Sequence, residues 1–270
     1  MRHRLPLALL ALLGTSAARA DLLYSTSFDS SAYTAGTSVA GSDGWFLGSS
    51  STAATQTVAS GVGRDGTQGL RFTNTASTGY YSASHGLPTA VQGFDPFTVS
   101  VDLYVDETTA ATRMYELVLL SSPTGGMATS SVLLGMSIGG DGKIRASSNW
   151  ATLYGTNTQR VTAAAGTFKG RWLNISLKVD ENRTGFTTIS GLGDGSTSYT
   201  YTIPFVGYDS TTQSYKSIVT ANLVAENSGA LGGAGVGTFD NFTVTAVPEP
   251  ATLAALGFGA AAMLRRRRKA

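Results

Sequence analysis

Apolar and polar residues alternate along much of this chain. Phe97, Val99, Val101, Leu103 and Val105 are separated by Thr98, Ser100, Asp102 and Tyr104. Leu173, Ile175, Leu177 and Val179 are separated in the same way by Asn174, Ser176 and Lys178, and Phe242 and Val244 by Thr243. A period of two turns successive side chains to opposite faces, so each run predicts a strand with one face buried. Further strands are predicted at Leu22–Phe28, Gly69–Thr73, Met114–Leu120, Val132–Ile138, Lys143–Ala146, Phe186–Ile189, Tyr199–Phe205 and Ile218–Val224. Between two of them lies Gly139-Gly140-Asp141-Gly142, and Asp-Gly is a strong hairpin signal. Asp180 to Gly185 predicts a second hairpin connection. No stretch of the body carries a helical stripe.

About a dozen strands without a repeat period fit an all-β fold, a two-sheet antiparallel jelly-roll sandwich. The body, residues 21–246, is long enough to bury one sizeable core. Charged residues make up 13% of the chain and glycine 33 of 270 positions, a composition that alone would suit a flexible chain. The regular alternation argues against that.

The two ends have a different pattern. Arg2, His3 and Arg4 precede an apolar run from Leu5 to Leu13, and Ala18-Arg19-Ala20 is a small-x-small cleavage site. Residues 1–20 therefore predict an export signal, with the mature chain starting at Asp21. At the other end, Val247-Pro248-Glu249-Pro250 is followed by apolar residues Ala251 to Leu264, then Arg265, Arg266, Arg267, Arg268 and Lys269. Proline fixes its own backbone and restricts the residue before it, so the box separates the tail from the fold. The apolar run is 14 residues, about 21 Å as a helix, against roughly 30 Å of hydrocarbon. It is short for a transmembrane helix, although snorkelling arginines extend its reach. The five cations predict a stop on the cytoplasmic side. The bland reading is a solvated basic tail.

Residues 247–270 resemble a PEP-CTERM sorting domain: a Pro-Glu-Pro triplet, an apolar helix and a terminal arginine cluster. The resemblance implies recognition of Pro248, Glu249 and Pro250 by an exosortase, a membrane processing enzyme of Gram-negative bacteria that make exopolysaccharide. It implies export across the inner membrane, transient membrane attachment, and delivery to the cell surface or a biofilm matrix. The body has a looser resemblance to concanavalin A-like sandwiches. It is carried by Asp43-Gly44-Trp45, by Gly170-Arg171-Trp172 leading into a strand, and by Phe239-Asp240-Asn241-Phe242 as the closing strand.

Charge and residue counts narrow the function. The whole chain is +2, but the body holds 11 basic and 16 acidic residues and is net −5. An acidic body excludes nucleic acid as the expected partner. There is no cysteine, so neither a disulfide nor a thiolate metal site is available. His85 is the sole histidine after His3 leaves with the leader, and no G-x-S-x-G elbow accompanies it. It reads as an incidental loop histidine, and zinc catalysis lacks its ligands. Asp102 and Asp106 share a face but read as solvated strand carboxylates. The glycine-rich stretches at 191–195 and 229–237 read as turns, because neither joins a strand to a helix. No catalytic residue is predicted.

Two site expectations remain. Jelly-roll binding modules often hold a structural Ca²⁺ with an aspartate of the closing strand, which points to Asp240 with Asp29. Sugars offer apolar faces and polar edges, so loop aromatics Trp45, Tyr80, Tyr81, Trp150 and Tyr154 are candidate carbohydrate contacts, while Trp172 reads as core or sheet-edge packing. The function expected is a non-catalytic binding or structural module associated with exopolysaccharide. The alternative is a polysaccharide hydrolase or lyase on the same fold.

Overall fold

The computed structural model describes residues 20–48, 55–74, 80–92, 96–128, 131–148, 159–162, 168–193, 198–227 and 234–246. The predicted leader, all but its last residue, lies outside these ranges, as do Trp150, Tyr154 and the tail from Val247 to Ala270. Among the described residues no helix is long and apolar enough to cross a membrane.

Two antiparallel sheets make up the fold, with strands numbered here in chain order. The first runs β13 (Ser198–Ile203), β12 (Gly185–Ser190), β11 (Trp172–Val179), β6 (Phe97–Val105), β17 (Gly235–Ala246), β4 (Gln68–Asn74) and β3 (Thr55–Ser60). An eighth strand, β1 (Asp21–Thr26), pairs with the last residues of β17, Asp21 facing Ala246. The second sheet runs β10 (Gln159–Thr162), β9 (Lys143–Ser147), β8 (Val132–Gly139), β7 (Arg113–Leu120), β16 (Thr220–Asn227), β5 (Tyr80–Gly86) and β2 (Trp45–Leu47). A small hairpin of β14 (Tyr208–Asp209) and β15 (Ser214–Tyr215) stands apart.

The core forms where the alternating sets meet. Phe97, Val99, Val101, Leu103 and Val105 of β6 are all buried, as are Leu173, Ile175, Leu177 and Val179 of β11. They share one cluster with Tyr115, Leu117, Leu119, Met136, Ile138, Ala221 and Leu223 of the facing sheet. Each such side chain contributes roughly 1.5–3 kcal/mol by leaving water. Both predicted hairpins are present: β8 pairs with β9 across residues 139–142, and β11 with β12 across 180–184.

β7 and β8 are buried on both faces. Their outward residues Val118, Leu120 and Val132 form a second apolar cluster with Val224 of β16 and Met127. The outward side of the eight-stranded sheet is less covered. It is polar on β6, β11 and β17, and a loop from the β3–β4 hairpin folds across part of it.

Candidate functional site

Strand register sets side chains in rows on the outward side of the eight-stranded sheet. Trp172, Tyr104, Thr238 and Arg71 form one row across β11, β6, β17 and β4. Asn174, Asp102 and Asp240 form the next. Residues directly opposite in antiparallel strands lie side by side on one face, so these rows are built by backbone pairing. The Tyr104 and Trp172 rings are 5.6 Å apart between centroids and inclined by 51°.

The loop between β3 and β4 roofs part of this face. Arg64 donates from its backbone N–H to Asp240 Oδ2 at 2.8 Å and from Nη1 to Asp102 Oδ2 at 2.7 Å. Gly69 allows the close approach: a Cβ there would lie 2.8 Å from Thr238 Cγ2 and 3.2 Å from Gly63 Cα. Between loop and sheet is a cavity of about 320 Å³, lined by Gly61, Val62 and Gly63 above and by Arg71, Tyr104, Asp106, Trp172, Val236 and Thr238 below.

The charges are organised around Asp102, which is 3% exposed and so is not the solvated carboxylate the sequence predicted. Asn174 Nδ2 and Asn241 Nδ2 each donate to it at 2.9 Å, in addition to Arg64. Asn241 reaches it from a bulge in β17, with its own φ at +49°, a conformation asparagine tolerates better than most residues. The Asp102 carboxylate in turn raises the Arg64 guanidinium above its ordinary pKa. Burial raises Asp240, opposed by N–H donation from Arg64 and Asn241 and reinforced by the charges of Asp29 and Asp102. Asp106, at the cavity wall, is lowered by the Thr108 hydroxyl and N–H and by the Arg71 charge. Arg71 Nε is buried without a hydrogen-bond partner among the described residues.

Asp29 and Asp240, the residues expected to hold calcium, are both hydrogen-bonded to backbone. Both Asp240 oxygens accept backbone N–H groups, from Arg64 and Asn241, and Asp29 Oδ1 accepts that of Gln68 at 2.6 Å. The cation beside the acidic group is Arg64. Among the described residues no group of three His, Cys, Asp or Glu side chains is placed to hold a metal ion.

Of the aromatics predicted from loops, neither Trp45 nor Tyr81 lines this cavity. Trp45 is 1% exposed, so it cannot offer a ring face to a sugar. It packs against Phe28, His85 and Phe242 at 5.2 to 5.5 Å, and its Nε1–H donates to Tyr24 Oη. The Gly44 φ of +81° makes the turn that delivers it inward. Tyr81 stands in register with Ala225 and Tyr115, on the side turned to the core. Tyr80 is described only as a position in β5, and Trp150 and Tyr154 lie outside the described residues. His85 is a strand residue rather than a loop residue, stacked on Tyr24 at 4.1 Å. Its Nε2–H donates to the Asp43 carbonyl, while the Asp43 carboxylate accepts from Tyr24 and Tyr33, so no triad forms.

Trp172 is the residue that sequence reading misplaced. Its alternation with Leu173 does assign it to the outward face. The signal that could have found the site is the shared face of Trp172, Asn174, Tyr104 and Asp102, four outward residues on two strongly alternating strands.

Comparison with known proteins adds to both parts of the chain. Residues 246–269 match the PEP-CTERM protein-sorting motif. The tail carries a sorting signal. The motif indicates a protein exported and sorted to the cell surface of a Gram-negative bacterium, through an exosortase. No curated protein sequence matches the chain. The body is similar to a conserved carbohydrate esterase, vb_24B_21, of the Shiga toxin-encoding bacteriophage phi24B. That likeness has a TM-score of 0.52 at 17% identity, over 85% of this chain and all of that one. It is also similar to the CBM2 module of an evolved Dit protein of Lactobacillus casei BL23 phage J-1, with a TM-score of 0.52 at 10% identity over 86% and 98% of the two chains. Both likenesses are of fold: the PEP-CTERM tail follows an antiparallel β-sandwich. Lectin II of Ulex europaeus is a weaker structural match, with a TM-score of 0.48 at 10% identity over 83% and 99%.

Proposed function

We propose that the body is a non-catalytic carbohydrate-binding module, displayed at the cell surface by its PEP-CTERM tail and held in the extracellular polysaccharide matrix. The observation that carries this is the cavity under the β3–β4 loop, where Trp172 and Tyr104 meet Arg71 and Asp106. A sugar ring has apolar C–H faces for the two aromatics and hydroxyl edges for the charged pair. The volume, about 320 Å³, falls in the range of small-ligand sites. Two proteins of similar fold are described as a carbohydrate esterase and a CBM2 module, which supports a carbohydrate ligand without choosing between catalysis and binding.

The non-catalytic reading is supported by the acids. Glycoside hydrolysis needs two carboxyl groups across a cleft. Among the described residues this cavity is lined by one, Asp106, and its neighbours keep that carboxyl in the ionised form. Asp102 and Asp240 are engaged by Arg64, Asn174 and Asn241.

The test is calorimetric titration of the purified protein with polysaccharides, including the producing organism's own. Trp172→Ala and Arg71→Ala are each expected to weaken binding about tenfold or more, close to 1.4 kcal/mol. Retained affinity in both variants would remove the cavity from the proposal. Release of shortened or de-esterified product would replace binding with catalysis.

A further inference from the structure

A second amphipathic site stands at the opposite end of the same sheet. Trp172 and Tyr104 mark one end of β11 and β6, and the other end is marked by Phe97, Val179, Gly185 and Ile203 in one row. From Tyr104 to Phe97 the strand covers roughly 23 Å. Just past Ile203 the chain turns outward. Phe205 is 66% exposed and Tyr208 is 46% exposed, two of the few large apolar side chains left in water among the described residues.

The exposure is built into the backbone. Phe205 has φ at +57°, which is strained for a bulky residue. Its neighbours hold it there: the buried Val206 donates its N–H to Arg183 O at 2.8 Å, and Tyr208 N–H donates to Phe205 O at 3.0 Å. The β14–β15 hairpin is stiffened by Tyr208 against Tyr215, 5.2 Å between centroids, with the Arg183 guanidinium 5.6 Å over the Tyr215 ring. Beside the exposed rings lies a cavity of about 350 Å³, lined by Phe205, Tyr208, Asp209 and Lys216 and, from β8 of the facing sheet, by Val132 and Leu133. Asp209 and Lys216 are ion-paired at 3.4 Å, and Asp209 Oδ1 accepts the N–H groups of Thr211 and Thr212. An apolar platform beside a cup of hydroxyls and paired charges matches a ligand with apolar faces and hydroxylated edges. It matches a lipid surface less well, because the cup is polar and its charges are already balanced.

We propose that the Phe205–Tyr208 hairpin is a second carbohydrate-contact site, and that the protein cross-links polysaccharide by holding separate stretches at the two ends of its eight-stranded sheet. The proposal takes its ligand class from the binding reading above, but it concerns different residues. Two weak sites on one rigid body bind a polymer far more tightly than either alone, with no new contact.

The experiment uses the full-length protein, its Phe205→Gly/Tyr208→Ser variant, Trp172→Ala, and the combination. Each is mixed with the producing organism's polysaccharide and followed by calorimetry and by solution viscosity. Phe205→Gly also relieves the strained backbone, so the melting temperature should be kept or raised. The wild type is expected to raise viscosity. The hairpin variant is expected to keep one binding event, lose the viscosity increase and lose at least tenfold in apparent affinity. Trp172→Ala should do the same from the other end, and the combination should not bind. A hairpin variant that binds and thickens like wild type overturns the second site and leaves the first intact. Loss of all binding in the hairpin variant, with Trp172→Ala unchanged, overturns the first site and the cross-linking while keeping the hairpin as the sugar contact. Two further outcomes overturn the proposal. One is hairpin-dependent binding to phosphatidylethanolamine–phosphatidylglycerol vesicles but not to polysaccharide. The other is a wild-type dimer that the variant converts to monomer.

Discussion

Asp102 illustrates how one side chain can govern a surface. It draws a cation from a loop, an amide from β11 and an amide from a bulge in β17 onto two oxygen atoms. Removing it strands three donors, so Asp102→Ala should cost about 2 kcal/mol in urea denaturation. Arg64 is half exposed, which keeps the share of the ion pair small. Alternation alone placed Asp102 outward. Its burial was not legible, because Arg64 and Asn241 lie 38 and 139 positions away in sequence. His85 makes the pH-dependent case. Burial lowers it below the ordinary value of 6.5, so the folded protein keeps it neutral while the unfolded chain takes up a proton. Stability from this residue is therefore complete above about pH 6.5 and lost as the pH falls below it. Melting temperature followed from pH 8 to pH 5 should fall in the wild type and fall less steeply in His85→Gln, whatever the variant loses at neutral pH.

Among the elements, the β3–β4 hairpin matters most to the cavity. Its loop has no apolar anchor of its own in the main core and rests on hydrogen bonds and on the bare surface of Gly69. Gly69→Ala should push the loop off Thr238 at a cost of roughly 1–3 kcal/mol. Ligand affinity should fall while far-ultraviolet circular dichroism keeps its β signature; unchanged affinity would mean the loop does not shape the site. The strands were unequally legible. β6 and β11 alternate cleanly because one face meets the core and the other meets water or polar neighbours. β5 gave no signal, because Ser82 and Ser84 on its outward side are also buried, the latter beneath Gly125 of the β7–β8 connection. β2 and β3 were missed as well. β2 has only three residues, and β3 presents Gln56 as well as Val58 to buried positions, so neither shows a period of two in apolar character.

At the scale of the molecule, the order of strands in space departs from their order in sequence. β17 is twelve residues long and lies between β6 on one side and both β4 and β1 on the other. β16 sits between β7 and β5 in the interior of the other sheet. A chain ending at residue 234 should therefore fail to fold, and one ending at Ala246 should melt cooperatively, as circular dichroism on the two truncations would establish. The same layout bears on passage through a membrane. A polypeptide threaded from its leading end brings an interior strand of each sheet across last, so neither sheet can close while synthesis or transport is under way. Condensation then waits until β16 and β17 have crossed. The fold thereby stays pliant in transit and sets only when its final two strands arrive.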